Sequence, residues 1–518
     1  MNSIRKPYLT KTSYVTSHTC ERWLWKNFYE RPDFDNIKIG SAAYVGEKVG
    51  ALAQKRFDGG KLVNAKPWEH DKAVSETKEL MLDQSVQSIY EAALEYNDVR
   101  VRVDILERLE GNNWGIREVK SKSSIRKGKK KILLEDLAQD VAVQMWVAEG
   151  FGLNIISAQL LYVDKTYKQS GINPDHNKLF ICEELIGDID EYVSLVDEQH
   201  KRFLEILEKT KAPSSEPANG KCSSRWGMHR CPFWKECISD KPDDWVAGLY
   251  RVSGSQLDTF KEHNIDAISD LTLDLTKNLE QERMVQVSNS SETHISKKLY
   301  KDIRSIPLPA IHLDFEFTQG SALPLYQNTK PYELIPFQYS IHTLHEDLSH
   351  THTKKDAYLA TGDVDPRREF TEKLIARLSE GNEPIIAYHA IGAESRVIRN
   401  LMLVFPDLEQ ALTKILERIV DIKPMIQNGF MHPRMISKKA IGGLYSLKNV
   451  APAINESFSY NDLGVIQQGG AAAEAFYQLV IGEFPEGIAR EQLRQAMLAY
   501  CEKDTEGTVL IHKGLLLP

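Results

Sequence analysis

The sequence predicts an α/β protein with one α/β domain in each half of the chain. In the N-terminal half, apolar and polar residues alternate from Val99 to Leu109 and again from Trp114 to Ser121, as in strands that bury one face. In the C-terminal half, a strand-like run from Ile311 to Thr318 is followed by further strand and helix patterns. Strands that alternate with helices along a chain are typical of this fold class.

The N-terminal elements are predicted from turn residues and from the spacing of apolar residues. Gly111, Asn112 and Asn113 separate the first two strands and favour a hairpin. Helical spacing then extends from Leu133 to Glu149, and Ile155 to Val163 has the pattern of another strand. We therefore expect a hairpin, a helix and a third strand.

The C-terminal half repeats this alternation. Strands are predicted near Phe337 to His345 and Pro384 to His389, and helices near Arg367 to Leu378 and Ser395 to Leu403. Between the halves, two short helices are predicted around Asn264 and Ile265. Polar stretches on both sides of these helices indicate domain boundaries. The expected domains are therefore 1–240 and 310–518, joined by a helical connector at 241–309.

The composition is that of a globular protein. The chain has 518 residues, 42% of them hydrophobic and 27% charged, with a formal net charge of -8. This charge argues against a protein that coats nucleic acid non-specifically. The sequence has no apolar stretch of the roughly 20 residues that a membrane span needs, and its start lacks the apolar segment of a signal peptide. We expect a cytoplasmic protein without a membrane partner.

One stretch of the chain is strongly basic. Twelve positions contain seven basic residues and no acid: Lys120, Lys122, Arg126, Lys127, Lys129, Lys130 and Lys131. Such a run is either a solvated loop or a phosphate-binding surface. We favour the second interpretation because the run begins inside a candidate active site.

Acidic residues near both ends of the C-terminal half predict a metal site. Asp314 and Glu316 project from one face of a predicted strand, because residues two apart share a face. Tyr500 and Asp504 are one turn apart in a helical segment. Carboxylates are the ligands of hard cations such as Mg²⁺, and a tyrosine one turn before a metal-binding aspartate could hold the attacking water.

This order of residues resembles the DEDD exonuclease superfamily in its tyrosine variant. Glu394, in the segment from Ala387 to Glu394, occupies the place where the family usually has an aspartate, and Asp421 is a reserve candidate. The resemblance implies a ribonuclease H-like fold and a 3′ to 5′ exonuclease that uses Mg²⁺ or Mn²⁺. It assigns the metal ions to Asp314, Glu316, Glu394 and Asp504, and the positioning of water to Tyr500.

A longer stretch, from about Ala310 to Leu515, resembles the C-terminal domain of an uncharacterised bacterial family. The shared runs are LDFEF, the segment from Pro336 to Ser340, and YCEKDT. A resemblance of this length is more specific than an isolated Asp-x-Glu.

The predicted N-terminal hairpin carries a second set of acids. Asp104 lies in its first strand, and Glu118 and Lys120 lie in its second. Adjacent strands bring such side chains together, so the carboxylates could hold Mg²⁺ while the lysine orients water. The alternative is an exposed charge pair across the two strands.

This second pattern resembles the PD-(D/E)XK nucleases of the RecB type. Asp140 and Gln144, one turn apart in the next helix, resemble the family's helical glutamine motif. The motif departs from the family at Ala148, where a tyrosine is usual, although Trp146 lies nearby. The family's upstream histidine has no obvious counterpart, and Glu47 and Gln54 are the candidates for its place. The resemblance implies metal binding by Asp104 and Glu118, with Lys120 and Gln144 in the site.

Four cysteines form a possible cofactor site. Cys222, Cys231 and Cys237 follow one another as C-x8-C-x5-C, and Cys20 lies near the N-terminus. Thiolates suit either a 4Fe-4S cluster or Zn²⁺, whereas unrelated loop and core thiols are the alternative. CRISPR-associated and AddB-type RecB-like nucleases are similar, with one early and three late cysteines on an iron–sulfur cluster. Cys182 and Cys501 are expected to be buried small apolar residues.

Together, these patterns predict a chain with two nuclease modules that act on nucleic acid, with DNA favoured over RNA. Two alternatives stay open. Either one site is active while the other module binds nucleic acid, or the whole chain is a non-enzymatic scaffold. DNA repair, mobile-element processing and phage defence are all compatible with two nucleases on one chain.

Overall fold

The computed structural model describes residues 6–30, 41–66, 68–214, 231–319, 321–438, 443–464, 466, 469–482 and 486–517. The chain divides into two compact units. Unit 1 comprises Met1–Glu216, Arg230–Phe233 and Ser321–Tyr332, and unit 2 comprises Pro217–His229, Trp234–Gly320 and Glu333–Pro518. Both contain helices packed on a sheet, which confirms the predicted α/β class.

Unit 1 contains nine described strands and six described helices. Its strands are β1 (Leu9–Thr10), β2 (Gly60–Leu62), β3 (Ser88–Tyr96), β4 (Val99–Arg108), β5 (Asn113–Lys120), β6 (Arg126–Lys127), β7 (Ile132–Leu133), β8 (Asn154–Val163) and β9 (Phe180–Glu184). Its helices are α1 (Lys11–Ser17), α2 (Glu21–Tyr29), α3 (Ala42–Gln54), α4 (His70–Leu82), α5 (Glu135–Gly150) and α6 (Asp190–Glu208).

The main sheet of unit 1 has the order β2-β3-β4-β5-β8-β9, and β1 pairs with β4. β4 and β5 are antiparallel, so the predicted hairpin is confirmed. The predicted helix begins at Glu135 rather than Leu133, because Leu133 lies in β7 and pairs with Arg126. β8 confirms the third predicted strand.

Helix α5 is buried between the sheet and two helices. It packs on β3, β4, β5 and β8, and also on α1 and α6. Its polar residues Asp140 and Gln144 are buried along with apolar neighbours such as Val141. A buried polar group is stable only when it is hydrogen bonded, so these two residues need partners on the sheet.

Unit 2 contains the remaining elements. Its strands are β10 (His294–Ile295), β11 (Ala310–Thr318), β12 (Ile335–Leu344), β13 (His350–Thr351), β14 (Ala357–Leu359), β15 (Ile385–Ala387), β16 (Ile419–Asp421) and β17 (Phe430–Met431). Its helices are α7 (Trp234–Cys237), α8 (Gly254–Glu262), α9 (Leu279–Ser290), α10 (Lys297–Arg304), α11 (Arg367–Leu378), α12 (Glu394–Val404), α13 (Glu409–Glu417), α14 (Lys423–Gly429), α15 (Leu447–Ile454), α16 (Gly469–Val480) and α17 (Ile488–Leu516). Short 3₁₀ turns are Val246–Gly248, Ile268–Asp270, Leu273–Leu275, Lys354–Asp356, Pro406–Leu408 and Pro433–Met435.

The main sheet of unit 2 is mixed. Its order is β13-β12-β11-β15-β16, and β14 also pairs with β12. β11 is antiparallel to β12, which sets Asp314 opposite Ser340 and Glu316 opposite Gln338. β15 and β16 continue the sheet in parallel, and Ala387 pairs with Asp421. The strands and helices predicted here are confirmed, with ends that differ by one to two residues.

The segment 241–309, expected as a connector, lies within unit 2. Its buried residues Trp245, Phe260 and Met284 belong to the same apolar cluster as Phe430 and Leu515. The first of the two predicted short helices is α8, and the turn at Asn264 is confirmed by a positive φ of 55°. The second predicted helix is wrong, because only the 3₁₀ turn Ile268–Asp270 forms there.

Helix α17 is held against β11 and β12 by a buried row of polar side chains. The hydroxyl of Thr505 lies 2.9 Å from that of Ser340 and 2.8 Å from Nδ1 of His342. One turn later, Thr508 contacts Nδ1 of His312 at 3.1 Å. Directional bonds of this kind fix the rotation of the helix about its axis. None of the described helices is long and apolar enough to cross a membrane.

Candidate metal centres

The acids predicted in unit 2 meet in one place. Asp314 and Glu316 on β11 and Asp504 on α17 each offer a carboxylate oxygen, and the three oxygens lie within 4.8 Å of one another. Glu316 and Asp504 are buried, and Asp314 is half-buried. Alternation along β11 gives the first two a common face, and the polar row on α17 turns Asp504 towards them. Among the described residues, this triad can hold a divalent metal ion.

Two tyrosines converge on Asp504. The hydroxyl of Tyr460 donates to Oδ1 of Asp504 at 2.6 Å. The ring of Tyr500 lies with its centroid 6.4 Å from that of Tyr460, and the nearby charges of Asp504, Glu316 and Asp314 add to burial in raising the pKa of its hydroxyl. The predicted Tyr500 therefore lies close to these carboxylates. Tyr460 was not predicted, because it lies in a loop that carries no motif.

Glu394, rather than Asp421, is the fourth acid of this centre. Glu394 is 1% exposed, and its charge helps to raise the pKa values of Asp314 and Glu316, so its carboxylate lies near theirs. Its Oε2 is buried and has no hydrogen-bond partner among the described residues. Such an atom is costly to bury unless it is satisfied in another way, for example by a cation.

Asp421 instead supports the loop that leads to Glu394. Its carboxylate accepts hydrogen bonds from the backbone N–H groups of His389 at 3.0 Å, Ile391 at 3.3 Å and Lys423 at 3.1 Å. The loop needs this support because His389 has a positive φ of 77°, which is unusual for a residue other than glycine. Asp421 therefore helps to position Glu394.

The four acids of unit 2 all have raised pKa values. Burial, followed by the charges of Asp504, Glu394 and Glu316, raises the pKa of Asp314 well above its usual range. Burial raises the pKa of Glu316 to about 8 and that of Glu394 also to about 8. Burial raises the pKa of Asp504, although the hydroxyls of Tyr460 and Tyr500 act to lower it. Buried like charges at this separation favour either protonation or a bound cation.

Two further side chains at this centre were missed or misread from the sequence. Lys448 on α15 lies with its Nζ 5.1 Å from the ring centroid of Tyr500 and 5.2 Å from that of Tyr460. Cys501 is buried, as expected, but its thiol also donates to Oδ2 of Asp314 at 3.5 Å. In the sequence, only the position of Cys501 next to Tyr500 in the run YCEKD indicated that its side chain could lie at this centre.

The donor set of this centre fits a hard divalent cation. All the ligand atoms are carboxylate oxygens, which suit Mg²⁺ or Mn²⁺ better than softer metals. The unpartnered Oε2 of Glu394 and the raised pKa values also indicate a shortage of positive charge. Asp314, Glu316 and Asp504 would hold the ion, with Glu394 beside them.

The residues predicted in unit 1 also meet. Nζ of Lys120 donates to Oε1 of Glu118 at 2.6 Å and to Oδ2 of Asp140 at 2.5 Å. Oδ2 of Asp104 accepts a hydrogen bond from the backbone N–H of Val119 at 2.8 Å. The pairing of β4 with β5 therefore brings the Asp, the Glu and the Lys together as expected.

Gln144 joins this group from α5. Its Nε2 donates to Oε2 of Glu118 at 2.9 Å and to the carbonyl of Asp140 at 3.1 Å, and its Oε1 is buried without a partner among the described residues. Ala148, one turn later, is a buried core residue. The ring of Trp146 packs on those of Tyr96 and His200, with centroids 4.8 and 4.7 Å apart.

A cavity of about 710 Å³ adjoins the unit 1 centre. Its lining includes the three carboxylates Asp104, Glu118 and Asp140, and both candidates for the upstream position, Glu47 and Gln54, also line it. Lys11, which was not predicted, contributes to the same wall. The cavity gives a ligand direct access to the acids.

Lysines control the ionisation of these acids. Burial would raise the pKa of Glu118, but the ammonium groups of Lys11 and Lys120 lower it to about 2. Burial and the charge of Glu118 raise the pKa of Asp104 to about 7, against the same two lysines. Burial disfavours the charge on Lys120, yet Glu118 and Asp140 raise its pKa overall.

The basic run is not one continuous patch. Lys120 belongs to the centre, Lys122 donates to Asp136 at 3.1 Å, and Arg126 bonds Glu183 and Asp188. The others are exposed around the β6–β7 turn: Lys127, Lys129, Lys130 and Lys131. Phosphate binding by these four stays a prediction.

The cysteine site also stays a prediction. Cys20 precedes α2 and is half-buried, as are Cys231 and Cys237, whereas Cys222 lies outside the described residues. Neither the iron–sulfur cluster nor Zn²⁺ is tested by these positions. Cys182 is exposed, which corrects the expectation that it is buried, because it lies on the outer face of the edge strand β9.

Comparison with known proteins gives a limited result. A family model described as "Domain of unknown function (DUF2779)" matches residues 311–446. No curated protein matches the chain. Among solved structures, the chain is similar to the protein SSO0001, with 12% identity over 47% of this chain and 90% of that chain, and a TM-score of 0.21. That score is too low to support an argument about function.

Proposed function

We propose that unit 2 is a metal-dependent nuclease that removes nucleotides from the 3′ end of DNA. The observation that carries this proposal is the meeting of Asp314, Glu316 and Asp504 within 4.8 Å on a buried face. Glu394 supports it, because its buried Oε2 has no hydrogen-bond partner among the described residues and a bound cation would stabilise it. The alignment of these residues with the DEDD pattern supplies the reaction class by resemblance.

The residues of unit 2 would have different roles in the reaction. Divalent ions, when bound, would stabilise the charge that develops on the attacking and leaving oxygens of a phosphodiester. Asp314, Glu316, Glu394 and Asp504 would hold them. Tyr500 would orient the attacking water through its hydroxyl, which lies close to Asp504. Tyr460 would keep Asp504 in place through its bond of 2.6 Å.

We propose a second phosphodiesterase site in unit 1. The convergence of Asp104, Glu118 and Lys120, with Asp140 and Gln144 bonded to them, supports it. Asp104 and Glu118 would hold the metal, and Lys120 would orient water or offset phosphate charge. The adjoining cavity would admit the substrate.

The test compares variants of the two centres in the same assay. The full chain, with Mg²⁺ or Mn²⁺, is given single- and double-stranded DNA and RNA labelled at either end. Asp314→Asn is expected to abolish 3′-end trimming, and Lys120→Met to lower a separate cleavage about 10²-fold. The matched controls are Asp462→Asn and Lys61→Met, which change an exposed acid and an exposed lysine outside both centres.

The outcomes separate the alternatives. Loss of all cleavage in only one of the two variants shows that a single site is active and that the other module has another role. If neither variant changes cleavage, the two-site proposal is wrong. Binding of DNA by a parent protein that cleaves none of the substrates would identify a scaffold.

A further inference from the structure

Lys11 is a second lysine at the unit 1 centre, and the Asp…Glu-x-Lys pattern does not include it. Its Nζ donates to Oε1 of Glu118 at 2.9 Å and to Oε2 at 3.0 Å. The same atom lies 3.7 Å from Oδ1 of Asp140 and 4.0 Å from Oδ1 of Asp104. One ammonium is therefore shared among the three carboxylates.

Strand pairing and helix capping fix the position of the Lys11 backbone. β1 pairs in parallel with β4, the strand that carries Asp104, and Thr10 lies opposite Arg100. Thr10 and Ser13 then form a reciprocal cap, with the N–H of Ser13 donating to Thr10 at 3.1 Å and that of Thr10 donating to Ser13 at 2.7 Å. Lys11 is the first residue of α1, so its backbone is fixed and only its side chain can move.

This position is unfavourable for a lysine on local grounds. The N-terminus of a helix carries partial positive charge, which favours acids there and disfavours a cation. The three carboxylates offset this cost. A residue that breaks a local preference in this way is found most often at functional sites.

The hydrogen bonds of Glu118 show why Lys11 matters. An ionised carboxylate offers about four lone-pair sites. Oε1 of Glu118 accepts from Lys11 and Lys120, and Oε2 accepts from Lys11 and Gln144. All four sites are used, so a metal ion can bind Glu118 only if a donor leaves.

Lys11 is the donor held least firmly by other groups. Lys120 also bonds Asp140 at 2.5 Å, and Gln144 also bonds the carbonyl of Asp140 at 3.1 Å. Apart from Glu118, Lys11 has only the longer contacts of 3.7 and 4.0 Å. It also lines the cavity, which gives its flexible side chain room to move.

The charges of the group favour the same exchange. Asp104, Glu118 and Asp140 with Lys11 and Lys120 carry one net negative charge when all are ionised. A divalent cation would reverse this to one net positive charge. The negative charge of a phosphodiester would then offset the positive charge of these groups and the metal, so metal and nucleic acid would bind more tightly together than separately.

We propose that Lys11 competes with the metal for Glu118, and that its ammonium moves into the cavity on metal binding and contacts a phosphate oxygen of the nucleic acid. This inference rests on the proposed function of the unit 1 centre. It adds a phosphate-contacting residue and a reason why metal binding there depends on the substrate.

The test measures Mn²⁺ binding by calorimetry in the full chain with Asp314→Asn and Asp504→Asn, which silence the other centre. Lys11→Met is expected to bind Mn²⁺ about tenfold more tightly than this background without DNA, as changes beside metal ligands commonly alter affinity by such factors. A phosphorothioate oligodeoxynucleotide, which resists cleavage, should tighten Mn²⁺ binding in the background but not in Lys11→Met.

Three further variants keep the outcomes distinct. Lys11→Arg retains the charge and should bind Mn²⁺ no more tightly than the background, and Lys61→Met is the exposed-lysine control. If Asp104→Asn removes Mn²⁺ binding while Lys11→Met leaves it unchanged in a folded protein, the inference about Lys11 is wrong. If Asp104→Asn also changes nothing, unit 1 has no metal site and the proposed function of unit 1 fails.

Discussion

The two candidate centres use the same residue types, but their glutamates have opposite pKa shifts. In unit 1, the ammonium groups of Lys11 and Lys120 lower the pKa of Glu118 to about 2. In unit 2, the hydroxyl of Tyr460 donates to Asp504, and burial with the charge of Asp504 raises the pKa of Glu316 to about 8. Burial acts in the same direction on both glutamates. The difference follows from the two ammonium groups that bond Glu118, whereas Asp104, which lies 4.0 Å from Lys11, keeps a raised pKa of about 7.

This contrast has a functional consequence. The unit 1 centre is largely neutralised by its own lysines, so a metal must compete with them. The unit 2 centre lacks ammonium contacts of that kind among its described carboxylates, so it should bind a divalent cation more readily.

The largest effect is expected from Asp504→Asn. It removes a charged ligand that the sheet and α17 jointly place, and we expect 3′-end trimming to fall about 10³-fold, which corresponds to about 4 kcal/mol of transition-state stabilisation. Single-turnover cleavage of 3′-labelled DNA at saturating Mn²⁺ measures it. Asp462→Asn should behave as the parent, and a loss below tenfold in Asp504→Asn would contradict a metal-ligand role.

Lys120→Met should act on unit 1 in two ways. We expect cleavage at this centre to fall about 10²-fold, because the variant loses the ammonium proposed to orient water or offset phosphate charge. The protein should also be destabilised by about 3 kcal/mol, because Glu118 and Asp140 lose a buried partner. Cleavage assays and thermal unfolding measure the two effects, with Lys61→Met as the control. Unchanged cleavage with lowered stability would make Lys120 a structural residue only.

The two tyrosines of unit 2 should separate into two roles. Tyr500→Phe should lower the rate about tenfold at saturating Mn²⁺, because it loses the hydroxyl proposed to orient water. Tyr460→Phe should keep the maximal rate but need about tenfold more Mn²⁺, because it loses a support of the ligand Asp504. Titration of the rate with Mn²⁺ distinguishes them. Identical behaviour of the two variants would show that both merely hold Asp504.

The smallest effect is a change of thermal stability with pH. The folded pKa of Glu316 is about 8, above its unfolded value of about 4.3. The folded state therefore retains this proton as pH rises between those values, and stability is lost over that range. Glu118 has the opposite sign, since its lowered pKa of about 2 gives stability that is lost only as pH falls below its unfolded value.

Mn²⁺ should reverse the loss of folding stability that the acids of unit 2 cause as pH rises. We expect the rise in melting temperature on adding Mn²⁺ to EDTA-treated protein to grow from pH 5.5 to 7.5, by several degrees in all. Asp314→Asn should flatten this dependence. A metal-induced rise that is equal at every pH, or that shrinks towards pH 7.5, would contradict the assignment of the raised pKa values to this centre.

Much of the fold followed from local patterns. The hairpin that carries Asp104 and Glu118, the strand that carries Asp314 and Glu316, and helix α11 were all predictable, because burial of one face imposes a period of two or 3.6 residues. The second short helix near Ile268 was not, because a weak local preference gave way to packing within unit 2. The domain boundaries predicted from polar stretches differ from the bounds of the two units, because apolar residues of the segment 241–309 pack in one cluster with residues such as Phe430 and Leu515.

The residues of the candidate sites were also predictable only in part. The sequence by itself determined the acids and their order, because residue type and spacing place Asp314 beside Glu316 and Tyr500 beside Asp504. Only the tertiary structure brought in Lys11, Tyr460 and Lys448, since each reaches its centre from an element distant in sequence and without a motif. It also decided between Glu394 and Asp421, because burial and hydrogen-bond partners, which no spacing reveals, determine what a carboxylate can do.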